Sequence, residues 1–424
     1  MTTATAPSSR LRRRASRAVG LLLAVALLSL PAPALAEGES EPAPVLTLVT
    51  GRFVDSDGWP VAGLQVDEES FTIGETATTR ADGTFTLKTG PTQAGPVSIL
   101  WSDPVGDFDG ARVVVPSVTP GQTKDAGTIH VWTRFGHGRA PHAIATSSRA
   151  AVTKAYRKQF QSRLRREKPV TVHGCSVRAT PKALQKRDLS AVNLFRSMAG
   201  LARVRLDPKL SARARKAALI QYHQGYLEHF PARSARCWTK AGSAASSESN
   251  LSMGDLGASN MNGYMIDPGL SNYAAGHRRW ILSPGLTRIG SGYAGTFNAL
   301  HVLSPSRDAN PTPRWITWPT AGYFPAELEP WGRWSFMSAR SDLSFTGADV
   351  SVTIKGKRQK LHVYRKTSTY GNQQGLVWDL KKWPTAHGKK VTTAVVTVSG
   401  VRLRGATTLP PVSYPVKLFW AGRR

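Results

Sequence analysis

The apolar residues of this chain change period twice along its length, and that excludes any single uniform fold. Residues 45–133 carry short runs that alternate apolar and polar. Residues 175–305 carry apolar residues at helical spacing, and residues 306–424 return to alternation. Alternation places side chains on two faces of a strand, and a 3.6-residue period places them on one face of a helix. The chain therefore reads as a multidomain α+β protein with two β modules flanking a mixed one.

The first module is built on turns. Val54-Asp55-Ser56-Asp57-Gly58-Trp59-Pro60-Val61 is a strand end, an Asp/Gly turn and a strand start. Ala81-Asp82-Gly83-Thr84 is a second turn, ahead of the alternating Phe85-Thr86-Leu87-Lys88. This spacing predicts a small antiparallel β-sandwich over 45–133. Asp55, Asp57 and Asp109 are either turn residues or calcium ligands.

In the middle module, Leu189, Val192, Leu194, Phe195 and Met198 predict a helix over 188–199, stopped by Gly200. Leu206-Asp207-Pro208 opens a second helix that runs to about His223, with Pro in the first turn. Its Ala214, Ala217 and Ala218 permit close packing. A third helical element falls near 260–266. Residues 306–424 contain Val350-Ser351-Val352-Thr353-Ile354 and Thr393-Ala394-Val395-Val396-Thr397-Val398, which read as an Ig-like sandwich. Trp315, Trp318, Trp331, Trp334, Trp378, Trp383 and Trp420 lie there. They serve either as core or as a flat platform for sugars.

Charge divides the chain differently. The formal net charge is +29. Residues 1–36 carry Arg10, Arg12, Arg13, Arg14 and Arg17, the apolar stretch Ala18–Leu30, and then Ala32-Pro33-Ala34-Leu35-Ala36. That is the order of a secretory signal peptide cut after Ala36, and the apolar stretch is short for a membrane span. The expectation is a secreted protein, extracellular or periplasmic, and not an integral membrane protein. Residues 45–133 hold five Lys+Arg against eleven Asp+Glu, a net of −6, and residues 134–424 hold 46 against 13, a net of +33. Residues 134–172 have ten basic residues opposed by Glu167 alone. They read as a basic linker, helical over 150–168, and either solvated or a polyanion-binding arm. With no nucleic-acid reading motif, the expected partner is an anionic cell-envelope polymer, a lipid or a small ligand, with no nucleic acid.

Asn193-Leu194-Phe195-Arg196, Ala199-Gly200-Leu201, Val204 to Leu210, Leu227-Glu228-His229, Asn250-Leu251-Ser252, Gly276 to Leu282 and Arg288-Ile289-Gly290-Ser291-Gly292 occur in this order. The series resembles the CAP superfamily (SCP or pathogenesis-related-1-like). The resemblance implies a central α-β-α sandwich over 175–305. Residues Gly51 to Asp55, Pro60 to Gly63 and Thr79 to Phe85 resemble the carboxypeptidase regulatory-like family, which implies a transthyretin-like sandwich.

Cys175 and Cys237 are the two cysteines, and in an exported chain they are expected to form a disulfide. The CAP resemblance puts His229 and His277 in a central cleft. There, paired histidines and acidic residues can hold a divalent metal such as zinc. The acidic positions do not match. Anchoring on Asn250 puts Ser249 where a Glu is expected, and Glu248 reaches the site only by a one-residue slip that reverses its face in a strand. Glu228 and Asp267 are the other nearby acids, and Asp267-Pro268-Gly269 reads as a turn or cap. His229 and His277 are the candidate metal ligands of this cleft, and the ligand cleft is His229, Glu248, Ser249, Asn250 and His277. His223 reads as a helix-surface residue and His301 as a core histidine. Arg278, Arg279 and Arg288 read as solvated cations or anion-binding groups.

With no Gly-x-Ser-x-Gly elbow, His-Glu-x-x-His or Walker loop, no catalytic residue is assigned. The expected function is ligand or envelope binding without turnover. The alternatives are a metal-dependent hydrolase of peptide or envelope material and a polysaccharide-binding adhesion protein.

Overall fold

A computed structural model describes residues 47–424 apart from 56–57, 70–75, 90–93, 105–109, 132–137, 165, 304–310, 341, 365–369, 383–389, 404–406 and 423–424. The expected signal peptide, Asp57, Asp109 and Trp383 lie outside the described residues. Among the described residues no helix is long and apolar enough to cross a membrane.

Among the described residues the first module has the strands β1 (Thr47–Asp55), β2 (Gln65–Glu68), β3 (Ala77–Thr78), β4 (Thr84–Thr89), β5 (Gly95–Ser102), β6 (Ala111–Val118) and β7 (Thr123–Val131). They form the sheets β4-β1-β7 and β3-β2-β5-β6. Val49 and Phe53 of β1, Phe85 and Leu87 of β4, and Ile99 and Trp101 of β5 meet in one buried cluster. The sheets are not purely antiparallel as expected: β1 pairs with β7 in parallel. The chain crosses from one sheet to the other between β6 and β7, so its first and last strands run side by side in the same direction.

Among the described residues the α-helices that follow are α1 (Arg149–Gln159), α2 (Lys182–Met198), α3 (Pro208–Gln224), α4 (Lys240–Ser247), α5 (Gly257–Ile266) and α6 (Gly276–Ile281). Helix α3 starts as its sequence demands. Asp207 accepts hydrogen bonds from the amides of Lys209 and Leu210, Pro208 occupies the first turn, and Gly225 closes it in the left-handed region. The strands of this module are β8 (Val172–His173), β9 (Ser176–Val177), β10 (Arg205–Leu206), β11 (Ser249–Met253), β12 (Arg288–Ala294) and β13 (Phe297–His301). The sheet order is β10-β12-β13-β11. It is antiparallel except for β10, which pairs with β12 in parallel.

Adjacent residues of β13 face opposite layers. Leu300 packs in the cluster that holds α2 and α5, and Ala299 in the cluster that holds α3 and α4. Helices thus cover both faces of the sheet. On the α3 side the approach is backbone to backbone. A Cβ at Gly292 would stand 2.1 Å from the Arg215 amide nitrogen, and one at Gly290 would stand 2.3 Å from the Leu210 carbonyl carbon. This accounts for the glycines of Arg288-Ile289-Gly290-Ser291-Gly292 and for the alanines of α3.

Helix α1 is not a solvated linker. Its Val152 and Tyr156, with the following Phe160, are buried in the same cluster as α2, and Phe160 lies 6.1 Å from the Phe195 ring. Helical structure ends at Gln159, followed by one short turn at Gln161–Arg163, rather than running to residue 168. Polar Lys and Arg on one face obscure in the composition the three large apolar residues on the other.

In the last module one antiparallel sheet runs Ile316–Trp318, Arg333–Ser338, Gln374–Leu380, Leu361–Tyr364. A second runs Gly322–Pro325, Val412–Phe419, Val391–Ser399, Asp349–Ile354, Lys357–Arg358. Trp318, Trp334 and Trp378 are fully buried, so these three are core residues. Trp331 and Trp420 are exposed. The cluster of this module is continuous with that of α2: the Trp318 ring stands edge-on to Phe195 at 5.7 Å. Asp55 of β1 is buried and accepts the Trp59 amide. It is also ion-paired to Arg340 and to Arg314. Asp55 thus serves a turn and an ion pair to the last module, while Asp57 and Asp109, the other two residues of the calcium alternative, lie outside the described residues.

Candidate functional site

Cys175 and Cys237 are joined in a disulfide spanning 62 residues. It ties the β8–β9 hairpin to the segment after α3. His223 lies beside it, with Nε2 2.7 Å from the Gly174 carbonyl.

His229 and His277, which are 48 residues apart in sequence, line one cavity of about 480 Å³ together with Glu248, Ser249 and Asn250. The five expected cleft residues are thus brought together. Each histidine is held by its Nδ1. In His229, Nδ1 lies 2.9 Å from the Ser246 carbonyl. In His277, Nδ1 lies 2.7 Å from Asp267 Oδ1. An oxygen acceptor at Nδ1 places the proton there and leaves Nε2 as the lone-pair nitrogen of the neutral ring.

Asp267 is the acidic partner that sequence reasoning read only as a turn or cap. It does cap: its Oδ2 accepts the His277 amide at 2.9 Å at the start of α6. Its backbone is left-handed, with φ 54°, and its side chain is fully buried. Burial disfavours the charged imidazole of His277. The charge of Asp267 and its hydrogen bond outweigh that, so the His277 pKa is raised above the ordinary histidine value.

Glu248 caps the C-terminus of α4, one residue before β11 begins. Because it precedes the strand, the alternation rule does not turn it away. Its carboxylate, however, is engaged elsewhere. Oε2 lies 2.5 Å from an Arg213 guanidinium nitrogen and 3.3 Å from His301 Nε2. His301 is buried, as expected of a core histidine, and burial lowers its pKa despite Glu248. Ser249 is buried at the cavity wall, and its hydroxyl has no hydrogen-bond partner among the described residues. Asn250 is a strut: its side-chain amide donates to the His277 carbonyl at 3.0 Å, joining β11 to α6. Glu228 lies outside the cavity and accepts the Phe230 amide in a local turn.

The arginines around His277 are not all solvated. Arg278 and Arg279 are buried. Arg278 is ion-paired to Glu329 at 3.0 Å and also donates to the carbonyls of Met265 and Arg333. Burial drives this pair towards neutrality, and its mutual attraction and hydrogen bonds oppose that. Arg288 is exposed and pairs with Asp207 at 3.4 Å. Sequence reasoning also missed Tyr370 of the last module, which lines the same cavity and would meet a Cβ placed on Gly276 at 3.2 Å. A residue from another module carries no local signal of such a contact.

The donor set does not assemble a zinc site of the usual kind. Among the described residues, the His/Cys/Asp/Glu group close enough to share an ion is Cys175, His223 and Cys237, and two of those are oxidised to the disulfide. Among the described residues His229 and His277 have no third His, Cys, Asp or Glu donor at ligand spacing, and structural zinc takes four. With both rings neutral, the cleft as built suits hydrogen-bond donors from a ligand, received at the two imidazole nitrogens.

The family model of CAP, the cysteine-rich secretory protein family, matches residues 189–302, and the chain carries a CAP domain there. No curated protein matches the chain significantly. Among solved structures, the Bacillus anthracis TIE protein matches at 16% identity and TM-score 0.18, over 20% of this chain and 16% of that one. The Caf1A usher C-terminal domain matches at 16% identity and TM-score 0.16, over 20% and 94% respectively. A cohesin–X-dockerin complex from Acetivibrio cellulolyticus matches at 15% identity and TM-score 0.17, over 33% and 83%. Likeness this slight carries no argument about fold or function.

Proposed function

Taking a CAP domain at 189–302 as the premise, we propose that this chain is an exported, non-enzymatic binding protein of the CAP superfamily that works at an anionic cell envelope. Its ligand is received in the cleft of His229, Glu248, Ser249, Asn250 and His277. The observation that carries this reading is the shared cavity. Both imidazoles are tied back at Nδ1, and a buried, unpartnered hydroxyl stands beside them. The flanking modules are read as a transthyretin-like sandwich of the carboxypeptidase regulatory-like type and an Ig-like sandwich. Residues 1–36 are read as the export signal.

Native mass spectrometry of the protein recovered from the culture medium or periplasm tests this reading. The expected result is a small molecule retained at one per chain, lost in His229→Ala with His277→Ala. A protein retained in the cytoplasm, or identical spectra for wild type and variant, overturns it.

A second reading is favoured by one observation, the buried Asp267 behind His277, which is the arrangement that orients a general base. A hydrolase would show one tightly held zinc per chain by elemental analysis, and peptide turnover abolished by either histidine substitution. That outcome replaces the binding reading.

A further inference from the structure

A second concavity lies on α1, away from the cleft. It is an open trough of about 1030 Å³ lined by Arg149, Lys154, Arg157, Lys158 and Trp420, with Thr153 and Ser162. Four cations and no carboxylate line it. Lys154, Arg157 and Lys158 are exposed, and none of the four cations is ion-paired to a described residue.

The trough is a built feature of the fold. Val152 and Tyr156 anchor the opposite face of α1 in the core. Arg157 Nε donates to the Ala421 carbonyl at 3.0 Å, and Arg149 lies over the Phe419 ring at 4.9 Å. These contacts fix α1 against the end of the last strand. Glu327 accepts the amides of Ala421 and Gly422 and so holds the segment carrying Trp420. Trp420 remains 41% exposed and lines the trough with the cations.

We propose that this trough, Arg149, Lys154, Arg157 and Lys158 with Trp420, is a binding site for a linear anionic polysaccharide. The cations receive its carboxylate, sulfate or phosphate groups, and the indole receives the apolar face of a sugar ring. The lining favours a chain over a bilayer, because it is cationic with one aromatic and carries no cluster of large apolar side chains to insert into a membrane interface. A single exposed aromatic favours a glycan over single-stranded nucleic acid, which uses successive aromatics for successive bases. The choice of a glycan also rests on the envelope reading above, whereas the trough itself does not. The trough is independent of the His229–His277 cleft.

The test is equilibrium binding of the full chain to polygalacturonate and to dextran sulfate at fixed salt, with neutral dextran, poly(dT) and phosphatidylglycerol vesicles in parallel. Lys154→Gln with Lys158→Gln removes two exposed charges and should weaken glycan binding by at least about tenfold. Trp420→Ala should weaken it and abolish any ligand-induced change in tryptophan emission. Lys357→Gln with Lys360→Gln removes the same charge from exposed positions at and just after the edge strand Lys357–Arg358 and should leave binding unchanged. Wild-type binding that both double variants weaken equally refutes the trough while leaving the envelope reading standing. No binding to either anionic glycan refutes both. Tighter binding of poly(dT) or of vesicles than of the glycans assigns the trough to that other class and overturns the proposal.

Discussion

Replacing Asp188 by Asn should change the pH dependence of stability by an amount that can be worked from the structure. Asp188 lies on the inner face of α2 and is fully buried. Its carboxylate accepts from Ser291 Oγ at 2.6 Å and from Tyr293 Oη at 3.0 Å. Burial pushes its pKa up to about 7 from an ordinary 3.8, against the pull of those two hydrogen bonds. Glu167 pushes the same way as burial, and Arg187 opposes it.

The sign follows from proton counting. The folded state keeps the Asp188 proton up to about pH 7, and the unfolded chain releases it near 3.8. Between those values the native state binds more protons, so stability falls as pH rises. At about 1.4 kcal/mol per pH unit over that interval, the loss amounts to about 4 kcal/mol. It is absent below pH 3.8 and complete above about 7. Such a loss is a large part of the roughly 5–15 kcal/mol that usually holds a domain folded.

The side-chain amide introduced by Asp188→Asn cannot titrate. Urea unfolding of wild type and Asp188→Asn at intervals from about pH 4.5 to 8.5 should give a stability difference that shifts in favour of the variant by about 3–4 kcal/mol across the series. The amide carries a constant offset of its own, so the slope of the difference is the readout. A difference that stays flat with pH refutes the reasoning. It would mean that the two donor hydroxyls keep the carboxylate ionised in the fold.

Four further variants test other parts of the structure. Cys175→Ser with Cys237→Ser opens a loop of 62 residues and should lower the unfolding free energy by about 4 kcal/mol on the chain-entropy model, read from urea midpoints under non-reducing conditions. Gly292→Ala sets a methyl 2.1 Å from the Arg215 amide nitrogen and should cost about 3 kcal/mol or more, since backbone must move. Gly263→Ala, in α5 with open space around its Cβ, should gain about 0.5–1 kcal/mol, and equal Tm values for the two glycine variants would contradict the close approach of α3 to the sheet. Asp267→Asn removes the charge that raises the His277 pKa and should lower it, seen as a titration of that ring displaced to lower pH by NMR; an unmoved midpoint would show that Asp267 does not govern it.

Sequence reasoning succeeded where cause is local. The cap at Asp207, the stop at Gly200 and the turns around Asp55 and Asp82 each follow from residues within a few positions. The order of CAP-like elements brought His229 and His277 to one cavity, because a family pattern records tertiary neighbours that periodicity does not. It failed on α1, where charge masked the buried Val152 and Tyr156. It failed also on Arg278 and Arg279, whose burial depends on partners 51 and 94 residues away. No short-range period relates such positions, and a buried arginine has the same letter as a solvated one.

Asp267 shows the limit most clearly. Reading Asp267-Pro268-Gly269 as a turn was right for the backbone and silent about the imidazole ten residues on. Between them the chain is held from outside the CAP segment. Arg333, on the strand Arg333–Ser338 of the last module, donates from one guanidinium nitrogen to the carbonyls of Asp267, Gly269 and Asn272. A second nitrogen of the same side chain is fixed by Asp379 at 3.0 Å. The path that brings Asp267 to His277 is therefore set by a guanidinium more than sixty residues away, and Tyr370 of the same module lines the cavity they face. The last module is thus part of the scaffold of the cleft, and no pattern confined to residues 175–305 contains enough information to build the site.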